Sequence, residues 1–244
     1  MAERAQVAER RERMLDHIGR YRVSLRATLE HLFDHDPAND ILELRRAGLV
    51  TLNHGLPGRL GCYRLTAAGA VGRVPRDRGA ADFVGRALLT HLSVLWFSCM
   101  GDESRVRLEA DELERLLGDE APAIDQAPHC ADQVAPGEER TGEARLYRVF
   151  VLGQRSREDH TLAAITRVID TALRARGKLA RWIESGVYGF AVLTEMEERC
   201  EDLRAELARR GLTTKARFLI EPAPGPATLK RALDGHRSGR AQRS

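Results

Sequence analysis

The sequence predicts an α+β chain in two parts: three short helices with a hairpin, then an α/β region built on a mixed, mostly parallel sheet. Two observations carry this. Apolar spacing is helical over the first 48 residues and then breaks into two strand-like runs around a Gly/Pro turn. After residue 145, strand-like runs alternate with amphipathic helical ones, the pattern of parallel strands joined by crossover helices. A chain of 244 residues is long enough for one large domain or two small ones.

In the first part, residues 4–18 read as a helix with Val7, Met14, Leu15 and Ile18 on one face. Ser24 is a suitable N-cap for a second helix, Leu25 to Phe33. Asp36 caps a third with Pro37 at its first position, and this helix runs through Ile41 and Leu44 to Gly48, where a helix end favours positive φ. Residues 49–52 and 60–65 are strand-like and flank Gly55-Leu56-Pro57-Gly58, so they predict a hairpin. Thr66 then caps a short Ala/Gly-rich helix, residues 67–71. Three helices followed by a hairpin is the order of a winged helix-turn-helix, expected over residues 1–76.

That order assigns roles. The third helix should enter a major groove, presenting Asn39, Asp40, Leu42, Glu43, Arg45 and Arg46. Asn39 suits an adenine edge, and Arg45 or Arg46 a guanine or a phosphate. His54 and Arg59 flank the turn of the hairpin, and Arg20, Arg22 and Arg26 lie near the start of the second helix, where a backbone phosphate can be held. Asp40 and Glu43 place negative charge on the same face and count against this reading. A winged helix that binds protein is the alternative.

Residues 72–80 mix Gly, Pro and Arg and read as a linker to a second domain over 81–233. Helical spacing runs from Phe83 to about Ser98, although Leu92 to Phe97 also suits a buried strand. Residues 109–117 form an acidic amphipathic helix and 118–145 are largely loop. Strands are expected at 146–152, 188–193 and 216–220, with helices at 160–176 and 195–210. The tail, 234–244, carries Arg237, Arg240 and Arg243 among small residues and is expected to be disordered.

Charge supports the division. Residues 1–80 carry 14 basic and 10 acidic side chains, residues 81–145 carry 6 and 14, and residues 146–244 carry 19 and 12. No apolar run of 18 residues suggests a membrane span, and the first residues lack the apolar core of a signal peptide. Cys62, Cys99, Cys130 and Cys200 lie far apart, without zinc spacing. A cytoplasmic protein is therefore expected.

Chemistry is sparse. The sequence contains no Walker loop, no Gly-rich dinucleotide turn and no nucleophile elbow. His129-Cys130, with Asp125 and Asp132 nearby, needs partners from elsewhere before it can bind metal or act as a thiol site. The strand 146–152 lacks both an acidic residue and lysine, so the usual placement for Mg2+-dependent cleavage is missing. No catalytic residue, metal or cofactor is assigned.

The strings Leu44-Arg45-Arg46-Ala47-Gly48-Leu49-Val50, Tyr63-Arg64-Leu65-Thr66-Ala67-Ala68-Gly69 and Leu88-Leu89-Thr90-His91-Leu92 resemble the plasmid replication-relaxation family. The resemblance implies a winged helix joined to a domain similar in fold to restriction endonucleases, in an accessory DNA-binding factor for plasmid or mobile-element replication or mobilisation. Where that fold would carry an acidic strand motif, this chain has Val149-Phe150-Val151-Leu152-Gly153-Gln154, which counts against nuclease activity. The expected partner is double-stranded DNA, with the second domain serving dimerisation or protein contact. A ligand-sensing transcriptional regulator, a metal-dependent nuclease and a protein-binding adaptor are the alternatives.

Overall fold

In the computed structural model the first apolar face folds as helix α1, Ala2–Tyr21, which buries Met14, Leu15 and Ile18. The structure describes residues 2–74, 85–101, 103–120, 127–133, 145–153 and 156–241. They are mixed helix and sheet, and the chain divides into two units: Met1–Leu95 with Gly225–Ser244, and Trp96–Pro224.

In the first unit α1 stops at Arg22, whose φ of 69° turns the chain and whose Nη1 donates to the Gly19 carbonyl at 2.9 Å. Ser24 does not cap the second helix. Its hydroxyl lies 3.2 Å from His17 Nε2, and its backbone pairs in both directions with Tyr63 (2.9 and 2.8 Å), so α2, Arg26–Phe33, starts from an extended Leu25. Asp36 Oδ1 accepts the Ala38 N–H at 3.0 Å and opens α3, Ala38–Arg46. Gly48, at φ 70°, leads the chain out.

Strands β1, Val50–Asn53, and β2, Cys62–Leu65, pair antiparallel from Val50↔Leu65 to Asn53↔Cys62 around a 3-10 turn at Pro57–Arg59. Thr66 accepts the Gly69 N–H at 3.1 Å and donates to the Gly48 carbonyl at 2.6 Å, fixing α4, Ala67–Ala70, against the end of α3. A Cβ at Gly69 would lie 2.1 Å from the Leu49 carbonyl oxygen, so only glycine fits there. Met14, Leu15, Ile18, Leu29, Ile41, Leu44, Val50 and Leu65 make one apolar core that fixes α3 and the hairpin.

Helix α5, Arg86–Cys99, runs through the 92–97 segment, which is therefore helix and not strand. The second unit holds a five-stranded sheet with the order β3-β4-β5-β6-β7: Arg105–Leu108, His129–Asp132, Leu146–Leu152, Tyr188–Thr194 and Arg217–Pro222. β3–β4 and β4–β5 are antiparallel, β5–β6 and β6–β7 parallel. The sheet is thus mixed in equal parts, where the sequence predicts a mostly parallel one. The difference lies in β3 and β4, four residues each, whose buried positions include Arg105, Arg107 and His129 and so carry no apolar signal.

Helix α6, Ala110–Leu117, follows β3. Between β5 and β6 come α7, Glu158–Ala175, and α8, Lys178–Glu184; the second adds to the elements the sequence predicts. α9, Glu197–Arg209, joins β6 to β7. Every position of β6 is buried, as befits an interior strand covered on both faces. Leu162, Ile165, Ile169, Leu203 and Leu207 pack with Leu146, Leu152, Phe190 and Val192 in the core of this unit.

The last helix, α10, Leu229–Ala241, belongs to the first unit. Leu229 and Leu233 are buried, so the chain is helical where a disordered tail from residue 234 is expected. The expected linker lies outside the described residues from residue 75, and so do 121–126 and 134–144 of the long loop.

Candidate functional site

The most open polar surface on α3 is the face that its apolar anchors leave outside. Ile41 and Leu44 point into the core, while Asn39, Leu42, Arg45 and Arg46 are exposed. Asp40 does not share that face. It is 2% exposed and receives Arg10 Nε at 2.7 Å and Arg11 Nε at 2.9 Å. Burial alone would raise the Asp40 carboxyl, but the two arginine hydrogen bonds outweigh it and hold the group below its ordinary value. Glu43 remains at the surface, paired with Arg46 Nη1 at 2.7 Å. Of the two carboxylates that count against a phosphate-facing surface, one is therefore turned inward and neutralised, and the other is ion-paired.

Arg45 forms no ion pair among the described residues, and its charge reaches the Tyr63 hydroxyl on β2. Burial raises that phenol, while the charges of Arg26 and Arg45 oppose the rise. Arg26 is held by both oxygens of Asp36, at 2.9 and 3.0 Å.

Arg22 is displaced from its expected role. It is 6% exposed and spends its guanidinium on the end of α1, so it is not available to an external phosphate. His54 and Arg59 are exposed in the β1–β2 connection. Arg59 has φ 59°, directly after Gly58 at φ 72°, an uncommon backbone for a non-glycine residue. Sequence reasoning misses Arg10, Arg11 and Tyr63. The Asp40 pairs span about thirty positions, beyond any local spacing signal.

In the second unit the residues that suggest chemistry are committed to the fold. His129 and Cys130 are successive residues of β4, so their side chains leave on opposite faces. His129 Nε2 lies 3.0 Å from the Tyr188 hydroxyl, whose pKa burial raises while the Arg148 charge opposes the rise. Burial, then the Arg148 charge, lowers the His129 pKa to about 3 despite a hydrogen bond to the Ala127 backbone, so the ring is neutral. Cys130 is fully buried, 3.4 Å from Ser98 Oγ, and burial pushes its thiol up to about 11. Such a thiol is not a nucleophile at neutral pH.

Arg105, with its side chain 1% exposed, donates to the Phe97 carbonyl (3.2 Å), Glu103 (2.8 Å) and Glu221 (3.2 Å) and lies 3.5 Å from Asp132. Its guanidinium sits 4.1 Å above the Phe97 ring centroid.

Among the described residues no group of three or more His, Cys, Asp or Glu side chains is placed to hold a metal ion, and no helix is long and apolar enough to cross a membrane. No family model, curated protein or solved structure matches the chain.

Proposed function

We propose that this protein binds duplex DNA through its first unit, which we read as a winged helix with α3 in the major groove. The order of elements supports the reading: α1, an extended segment bridged to Tyr63 through Ser24, α2, α3, then the β1–β2 hairpin. The observation that carries it is the α3 face itself, on which Asn39, Arg45 and Arg46 are open to solvent while Asp40 is held inside by Arg10 and Arg11. A helix seated by Ile41 and Leu44 can offer Asn39 and Arg45 to base edges as they stand, while Arg46 reaches them on leaving its exposed ion pair with Glu43. Tyr63 and the remaining guanidinium donors of Arg26, whose Nη2 is paired with Asp36, serve the flanking backbone, with Arg59 and His54 at the hairpin turn. The role we assign is that of an accessory or regulatory factor in plasmid or mobile-element replication, mobilisation or transcription, in line with the replication-relaxation resemblance. The second unit then serves self-association or partner contact.

The test is fluorescence anisotropy of a labelled duplex titrated with the full chain at two salt concentrations. Arg45→Ala combined with Arg46→Ala should weaken binding by about 1–3 kcal/mol for each arginine that reads a base. The circular dichroism spectrum should not change, because both side chains are exposed. Unchanged affinity in this double variant removes α3 as the recognition helix.

A protein-binding adaptor is the second reading, favoured by Leu42, which lies 41% exposed on the same face. Absence of salt-sensitive duplex binding by the wild-type chain would select it.

A further inference from the structure

The hairpin turn is not built from its own segment alone. Gly58, at the turn, has the aliphatic stem of Lys230 lying across it: a Cβ built on Gly58 would stand 3.2 Å from Lys230 Cδ, 3.8 Å from its Cβ and 4.0 Å from its Cγ. Lys230 comes from α10, which the fold returns to the first unit from the far end of the chain.

Two anchors fix this helix. Leu229 and Leu233, one turn apart, are buried at 1% and 6% exposure. The His236 ring meets His31 of α2 edge-on with centroids 5.1 Å apart. With those positions turned inward, Lys230 and Arg231 are exposed and make no ion pair among the described residues. The segment Leu229–Ala241 carries Lys230, Arg231, Arg237 and Arg240 against a single acidic residue, Asp234. A lysine whose stem is packed and whose ammonium is free is a pre-positioned point charge for a phosphate oxygen.

We infer that α10 is part of the duplex-binding surface, with Lys230 and Arg231 holding backbone phosphate beside the hairpin turn that carries His54 and Arg59. The inference rests on the duplex-binding reading above and extends it to a helix some 160 residues beyond the hairpin in sequence. Phosphate-directed charges of this kind carry no base information. They add to affinity equally on all sequences and increase its salt dependence.

The experiment uses the full chain and a Lys230→Gln/Arg231→Gln variant, in which glutamine keeps the stems and the helix propensity but removes both charges. Affinity for two labelled duplexes of unrelated sequence is measured from 50 to 200 mM NaCl. The expected result is a plot of log affinity against log salt that is shallower by about one unit for each phosphate no longer neutralised, by the same amount on both duplexes. Wild-type slope and affinity in this variant, alongside weakened binding by Arg45→Ala/Arg46→Ala, would overturn the role of α10 and leave the recognition helix standing. A wild-type chain that binds neither duplex at 50 mM NaCl would overturn the duplex-binding reading and this inference together.

Discussion

Arg45 and Arg59 in the first unit and Arg105 and Arg148 in the second are the same residue type with opposite fates. The first pair is exposed on α3 and at the hairpin turn, with no ion pair among the described residues. Arg105 is enclosed by Glu103, Asp132, Glu221 and the Phe97 ring, and the Arg148 guanidinium lies 5.4 Å from the Phe150 ring centroid with its Nε and Nη1 buried. A guanidinium surrounded by acceptors and rings is spent on holding strands together. One left in water with a packed helix beneath it is free to meet a ligand. Arginine count and net charge do not separate these cases. The first unit repeats the lesson on a small scale, since Arg10 and Arg11 are consumed by Asp40.

The sharpest way to break the comparison is to remove a buried arginine. Arg105→Leu keeps apolar contact with Phe97 but leaves Asp132 and Glu221 without their shared cation. Breaking a buried ion pair from one side costs about 3–5 kcal/mol. Asp132 and Glu221 retain 23% and 30% exposure, so the lower end, about 3 kcal/mol, is expected. Urea denaturation at pH 7 should show that loss while duplex affinity at saturating folded protein stays the same. A loss below about 0.5 kcal/mol, on the order of an ordinary surface substitution, would show that Arg105 is not structurally committed.

The buried histidine gives the next largest effect. His129 is neutral in the fold because its pKa is lowered to about 3, while the unfolded chain carries an ordinary value of about 6.5. The unfolded state therefore binds the extra proton between those values. The associated stability is fully present above pH 6.5 and is lost as pH falls from there toward 3. Between pH 7 and pH 5 the loss from this one group is roughly 2 kcal/mol. His17, lowered to about 4 by burial and then by Arg20, adds the same sign in the first unit. His129→Asn should lower stability at pH 7 and flatten the pH 7-to-5 decline. A variant that declines as steeply as wild type would show that His129 is not the titrating group.

Structure is legible in the sequence where a single element fixes its own pattern. Strand 146–152 matches its predicted bounds residue for residue, the strands near 188 and 217 and the helices over 160–176 and 195–210 agree to within two residues at their ends, and the Thr66 cap stands where its sequence places it. The exposed positions of α3, Asn39, Arg45 and Arg46, are also legible, because Ile41 and Leu44 mark the opposite face. Features that depend on distant partners are not. β3 and β4 put Arg105, Arg107 and His129 inside, which reads as loop until their partners on other strands are known. Sequence reasoning puts Asp40 and Arg22 on the surface because polar residues usually lie there, whereas a cluster from α1 draws the first inward and a helix end takes up the second.

The smallest effect tests the other half of the comparison, the polar contacts near the surface of the first unit. Thr66 accepts the Gly69 N–H and donates to the Gly48 carbonyl, joining the end of α3 to the start of α4. The Gly48 carbonyl is exposed and can turn to water when the hydroxyl is removed, while the buried Gly69 N–H loses its cap, so Thr66→Ala should cost about 1 kcal/mol, the ordinary value of an N-cap, and Thr66→Ser should recover most of it. Thermal denaturation of the two variants measures the difference. A loss as large as that of Arg105→Leu would mean that the α3–α4 junction is as tightly committed as the interior of the second unit. A loss near the N-cap value would keep the distinction: buried ionic groups in the sheet hold the fold, and polar groups at the edge of α3 trim it while leaving the neighbouring Arg45 open to solvent.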